Sequence, residues 1–263
     1  MTRLINPRLA LPVLSLAVLV AAVFWLQPRA MSYVGVNLLF NLAVPIALAT
    51  VAQMVVIMVG DIDLSMGAFV SLVACITAAI LPVNPVLGAL MLAGCVLAYA
   101  ALGALIEARG LPAIVVTLGM SFVWGGAAVL ILPSPGGTAP GWLTGVMKAK
   151  PPLVPMAIVA SVLIAAVAHL VIMRSSFGVR LRALGGNARA LSRAGRSTVA
   201  LRAWAYALAG LFAVLSGMAL VGLTTSGDAN IALRYTLLSI AGVILGGGEF
   251  TGGRVSPIGA GIG

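Results

Sequence analysis

Two aspartates stand two residues apart in Met-Val-Gly-Asp-Ile-Asp-Leu-Ser-Met-Gly (58–67). With Glu107, Asp228 and Glu249 they are the only acids in the chain. Asp61 and Asp63 lie between two apolar runs, and two compatible roles follow. Asp63 or Ser65 would cap the helix that starts behind them, where an oxygen meets unpaired N–H groups and the positive dipole end. The break itself would also line a route for a polar substrate, because ionisable groups at membrane depth mark such routes. Covalent chemistry is a poor fit. A serine nucleophile needs a basic partner, and the one histidine, His169, sits alone near the end of an apolar run and reads as structural. The glycines of Gly-Gly-Glu-Phe-Thr-Gly-Gly (247–253) lack the Gly-Lys-Ser/Thr ending of a phosphate loop, so close packing explains them better. Cys75 and Cys95 both fall inside apolar runs, which indicates neither a disulfide framework nor a metal site. No catalytic residue, metal or cofactor is expected.

Three amides share one apolar run. Asn37 and Asn41 are one helical turn apart on a common face, and Gln53 follows further along. Such amides either bond neighbouring helices or touch a polar substrate, and helix packing is the preferred role. Thr117 and Gly119 make the run 111–132 less uniformly apolar than the others. The candidate substrate path therefore comprises Asn37, Asn41, Gln53, Asp61, Asp63, Ser65 and Thr117. Glu107 and Arg109 flank a short turn and are expected to be solvated.

The elements that must position these residues are membrane spans. Hydrophobic residues make up 62% of the chain and charged ones 8%, with a mean hydropathy of +1.20. Runs of the ~20 residues that cross a ~30 Å hydrocarbon core recur. They are placed at 9–27, 36–59, 64–81, 86–106, 111–132, 153–173, 203–224 and 235–247, all in one domain. The first follows Arg3 and Arg8 but no small-residue cleavage site follows it, so it reads as a retained span. The net charge of +10 is not a nucleic-acid signature, because the charges cluster in the loops. Seven arginines (174, 180, 182, 189, 193, 196 and 202) and no acid fill 174–202. Placing the N-terminus inside puts eleven of the fifteen basic residues on the cytoplasmic side. The Pro- and Gly-rich segment 133–152 becomes an external loop, with Trp142 at the interface. Within the basic segment, 175–187 reads as two short elements joined at Gly-Gly-Asn, a docking surface for a soluble partner.

Four segments, taken in order, resemble one family, the permease subunits of ribose-type ABC sugar importers. Gly-Asp-Ile-Asp-Leu-Ser-Met-Gly (60–67) is similar to its Gly-Ile-Asp-Leu-Ser-Val-Gly signature. Leu-Pro-Ala-Ile-Val-Val-Thr-Leu-Gly (111–119) resembles its Pro-Ala-Phe-Ile-Ala-Thr-Leu-Gly segment. Phe-Gly-Val-Arg-Leu-Arg-Ala-Leu-Gly-Gly-Asn (177–187) looks like its cytoplasmic coupling loop, and 240–247 with 252–254 resembles its late Gly-Gly region. Three departures stand out: Asp61 where members usually carry Gly, Ala188-Arg189 where an acid commonly follows Gly-Gly-Asn, and Tyr235-Thr236-Leu237-Leu238 in place of Tyr-Glu-Leu-Asp. The chain stops within an apolar run, some two spans short of a typical member, and is expected to be a fragment or truncated product of about ten spans.

The resemblance implies an all-α polytopic bundle of about eight spans in the bacterial inner membrane. Its work would be import of a monosaccharide or polyol with a cytoplasmic ABC ATPase, a second permease and a periplasmic binding protein. ATPase coupling would fall on Gly178, Arg180, Ala183, Leu184, Gly185, Gly186 and Asn187. An amino-acid or urea importer is the alternative within the same class. A secondary transporter would need intramembrane charge pairs for ion coupling, and the spans hold almost none. The topology has a direct check. In a background lacking Cys75 and Cys95, an impermeant thiol reagent applied to intact cells should label a cysteine at Thr138 and spare one at Ser192. The reverse pattern would overturn the orientation.

Overall fold

The computed structural model describes residues 7–149, 151, 154, 156–249, 252, 253 and 255–262. Arg3, Lys150 and Arg254, three of the charges counted for orientation, lie outside them. Helices account for every long element: α1 (Pro7–Leu26), α2 (Tyr33–Met58), α3 (Met66–Ala79), α4 (Pro85–Arg109), α5 (Ala113–Ile131), α6 (Gly141–Met147), α7 (Met156–His169), α8 (Ser176–Arg193), α9 (Thr198–Thr224), α10 (Tyr235–Leu245) and α11 (Pro257–Ile262). A 3₁₀ turn (Pro28–Met31) precedes α2, and a π turn (Leu170–Arg174) extends α7. The starts follow from local chemistry. Ser32, Asn84, Ser175 and Ser197 each accept a hydrogen bond from the N–H three residues on, which occupies one unpaired donor at each N-terminus. Gly110 ends α4 in the left-handed conformation that a helix stop favours.

Among the described residues, five helices have the length and hydropathy to cross a membrane: α2, α4, α5, α7 with its π turn, and α9. The other three expected spans are shorter apolar stretches, Val13–Leu26, α3 and α10. The shortness of α3 has a reason. At about 1.5 Å per residue its 14 residues rise only about 21 Å, yet all of Met66–Ala78 is buried by protein, so the helix has no lipid face to match. The central layer is α2, α3 and α9, with α4 packed along α9 and α5 along α3. α5 and α7 turn most of their apolar surface outward.

Close approach between α4 and α9 rests on a reciprocal pattern. Each helix carries a tyrosine followed four residues later by a glycine. Tyr206 lies over Gly103, where a Cβ would stand 2.6 Å from the ring, and Tyr99 lies over Gly210, where a Cβ would stand 2.9 Å from the Tyr99 Cβ and 3.3 Å from its ring. Small residues that let helix backbones approach are the usual device of membrane packing. Polar contacts add to it: Ser216 of α9 donates to the carbonyl of Pro45 in α2 at 2.6 Å, and Ser71 of α3 accepts from Ala232 N–H at 3.0 Å.

The connections sort to two ends of the bundle. At one, Gly136 and Gly227 exchange backbone hydrogen bonds, while Thr138 N–H and Ala139 N–H reach Ala78 O and Thr225 O. The segment 133–152 is therefore not all loop; Pro140 leads into α6. At the opposite end, Met58, Asp61, Glu107, α8 and Gly253 meet. The Tyr–Gly lock predicts a position-specific cost. Gly103→Val overpacks the α4–α9 contact and should destabilise by about 1–3 kcal/mol, read as a lowered unfolding midpoint in detergent. Gly94→Val, facing open space in the same helix, should leave the midpoint near wild type.

Candidate functional site

The break between α2 and α3 is built around one carboxylate. Asp63 is fully buried. Its Oδ1 accepts from Ser65 N–H and from Ser65 Oγ, both at 2.7 Å, and its Oδ2 accepts from the Tyr99 hydroxyl of α4. Its backbone is held as firmly: with the amide oriented to satisfy its partners, Gln53 of α2 donates to Asp63 O at 3.3 Å and accepts from Asp63 N–H at 3.2 Å. Thr117 of α5 accepts from Leu64 N–H at 3.0 Å. Four of the seven candidate path residues, Gln53, Asp63, Ser65 and Thr117, thus form one buried hydrogen-bonded knot.

The capping expectation needs correcting. Ser65 stands at the N-cap of α3 but makes no side-chain cap bond, because its hydroxyl is turned to Asp63. Asp63 satisfies the N–H of Ser65 itself, two residues on, as an aspartate does in a turn. The helix donor at Gly67 is met instead by Thr236 Oγ1 of α10 at 2.9 Å. Gly67 itself has no room for a Cβ, which would stand 2.5 Å from Ala232 O.

Asp61 is neither wet nor free. It is 8% exposed, accepts from the Tyr206 hydroxyl at 3.1 Å, and lies 3.5 Å from Arg202. Arg202 Nε lies 3.0 Å from Glu107 Oε2, off the N–H direction, so this contact is ionic rather than a directed hydrogen bond. The expectation that Glu107 is solvated therefore fails: its side chain is 18% exposed and paired. Burial pushes the Asp61 carboxyl above its ordinary range, against the pull of Arg202 and Tyr206. Burial does the same to Asp63, opposed by the bonds from Tyr99 and Ser65.

The remaining path candidates lie elsewhere. Asn37 and Asn41 sit near the far end of α2, about 24 Å from Gln53 at 1.5 Å per residue for Asn37. Asn37 is buried and its Oδ1 has no hydrogen-bond partner among the described residues; Asn41 is half-buried. His169 closes α7, with its Nδ1 likewise buried and unpartnered there.

The basic segment has the expected two parts. Asn187 is extended within α8 (φ −160°, ψ 83°), and its Oδ1 accepts from Ala190 N–H at 2.9 Å, capping the second part. The coupling candidates divide by face. Gly178, Leu184 and Gly185 point inward, and Arg180, Ala183, Gly186 and Asn187 are exposed. Neither Gly185 nor Gly186 adopts a positive φ, so backbone freedom is not why they are glycine. At Gly185 a Cβ would meet Met58 O at 1.9 Å, whereas Gly186 faces open space. An open groove of about 420 Å³ runs over this face, lined by Ala183, Gly186, Asn187, Ala190, Leu191 and Ala194.

Four residues of the site were not singled out from sequence: Tyr99, Tyr206, Arg202 and Thr236. The signal was present for the two tyrosines, since a phenol in an apolar helix must find a partner for its hydroxyl.

Residues 35–263 match the family model described as branched-chain amino acid transport system / permease component. The chain belongs to this permease family. It is 29% identical over 259 residues to the ribose import permease protein RbsC of Bacillus subtilis (strain 168), covering 96% of this chain and 80% of that one. Identity to RbsC of Escherichia coli (strain K12) is 30% over 266 residues, covering 95% and 80%. The galactofuranose transporter permease protein YtfT of Escherichia coli (strain K12) is 30% identical over 245 residues, covering 90% and 71%. No solved structure matches the chain.

The knot predicts unequal outcomes for three substitutions. Tyr99→Phe leaves Asp63 Oδ2 buried without that donor and should cost about 1–3 kcal/mol, seen as a lowered unfolding midpoint in detergent. Asp63→Ala empties the knot and should lower folded yield further. Tyr33→Phe, at an exposed hydroxyl at the other end, should change neither. Equal effects from all three would remove Asp63 as the organising group.

Proposed function

We propose that this chain is a permease subunit of an ATP-driven importer of a monosaccharide or related polyol, seated in a bacterial inner membrane with its N-terminus cytoplasmic. The supporting observation is alignment over nearly the whole chain with relatives named for ribose and galactofuranose. In this reading a cytoplasmic ATPase seats on the exposed face of α8, at Arg180, Ala183, Gly186 and Asn187. Gly178, Leu184 and Gly185 hold α8 against the bundle so that the seat is rigid. A second permease, identical or different, completes the path, and a periplasmic binding protein delivers the sugar. Asn37 and Asn41 offer amides to that path, while Gln53, Asp61, Asp63, Ser65 and Thr117 hold the break that shapes it. ATP hydrolysis resides in the partner, and this chain contributes no covalent step.

A second reading, an amino-acid importer, draws on the description of the matching family model. Uptake decides between them. Membrane vesicles carrying the chain with its cognate ATPase, partner permease and binding protein should accumulate labelled D-ribose, L-arabinose or galactofuranose when supplied with ATP, and leucine should not compete. Leucine uptake without sugar uptake would favour the second reading. Gly186→Trp projects from the open face of α8, so it should insert normally yet lose most ATP-driven uptake. Wild-type uptake by that variant would place the ATPase elsewhere.

A further inference from the structure

We propose that Arg202 is a positioning residue that links the basic α8 segment to the break between α2 and α3, carrying a displacement of one into the other. The proposal rests on the permease reading above and assigns a specific link within it.

α8 touches the helix bundle at two points close to the break. The first is Gly185, whose backbone lies so near Met58 O that no side chain fits, with Gly253 N–H donating to the same carbonyl at 2.8 Å. The second follows the chain. Only residues 194–197 separate α8 from α9, and Ser197 caps α9 by accepting from Ala200 N–H. Arg202 therefore lies just over one turn into a helix whose start is tied to α8.

From that position one guanidinium serves two carboxylates on two other elements: Asp61 in the break at 3.5 Å, and Glu107 near the end of α4 at 3.0 Å. Tyr206, one turn further along α9, holds Asp61 by its hydroxyl. α9 thus grips Asp61 twice. Two residues on, Asp63 is stitched to α2 through Gln53 and to α4 through Tyr99, and the neighbouring Leu64 N–H is held by Thr117 of α5. A movement at the start of α9 therefore cannot be absorbed beside Asp61, because the backbone there is pinned to three helices.

The charge balance sharpens the point. Side-chain exposures of 17%, 8% and 18% for Arg202, Asp61 and Glu107 leave the cluster largely withdrawn from water. Without the guanidinium two carboxylates would face each other, an unfavourable arrangement at low exposure. The ion pairs thus resist separation and would move as a unit.

The test compares ATP hydrolysis with uptake in vesicles holding the chain, its cognate ATPase, partner permease and binding protein. The probe is whichever of D-ribose, L-arabinose and galactofuranose the wild type imports. Arg202→Met should lower sugar imported per ATP hydrolysed by roughly tenfold, within the range of couplings between distant sites. Its ATP hydrolysis should no longer rise with the binding protein. The triple variant Arg202→Met with Asp61→Asn and Glu107→Gln removes every charge and should fold even if the single variant does not. It should be uncoupled to the same degree. A purely structural role would lower hydrolysis and uptake together, in proportion to folded protein, and would overturn the proposal. So would a wild-type ratio in the triple variant. Should the wild type import none of these sugars, the sugar reading fails rather than the link, and the same transport-to-hydrolysis ratio is read with leucine as the probe; a wild-type ratio in the triple variant there would again overturn the link.

Discussion

A carboxylate taken wholly out of water must have its oxygens occupied, and Asp63 meets that demand with Ser65 of its own turn and Tyr99 of α4, while Gln53 of α2 holds its backbone. Tyr99 must lie deep enough in α4 to reach Oδ2, and that places α4 against the start of α3. Gln53 must face inward from the last turns of α2, so α2 ends where the Asp63 backbone can receive its amide. Thr117 then ties the first turns of α5 to Leu64. Because Asp63 is fully buried, a missing partner is not readily replaced by water, and these bonds constrain one another. The break has one geometry, and four helices take their relative positions from it.

The second constraint is space. Tyr99 bonds Asp63 from a helix packed closely on α9, where Gly210 makes room for Tyr99 and Gly103 makes room for Tyr206. The same two rings send their hydroxyls to the two aspartates of the break, Tyr99 to Asp63 and Tyr206 to Asp61. Helix packing and polar satisfaction are here one arrangement, with Phe69 and Trp124 filling the space around Tyr99.

The two faces of α8 are unlike. Its inner face is closed by Gly178, Leu181, Leu184 and Gly185, the glycines being places where backbone meets backbone. Its outer face carries arginines and small residues around an open groove. Under the proposed function, such a helix, held on one side and open on the other, would pass force from a soluble partner to the buried break.

Much of this protein was legible in its residues. Hydropathy is local, so the all-helical membrane character, most of the apolar helices and the position of the basic segment followed from composition and run length alone. Short motifs were enough to point to the permease family to which the chain belongs. The two parts of α8 were legible too, because Asn187 acts on its own neighbourhood. What only the tertiary structure decided is which polar groups meet. Tyr206 and Asp61 lie 145 residues apart, and Gly67 and Thr236 169 apart. Glu107 looked solvated and Asp61 looked like a path residue until Arg202, from a segment with no acid of its own, was seen between them. Ser65 looked like a cap until Asp63 was seen to take its hydroxyl. Burial and pairing depend on how helices distant in sequence are brought together, and no local pattern encodes that distance.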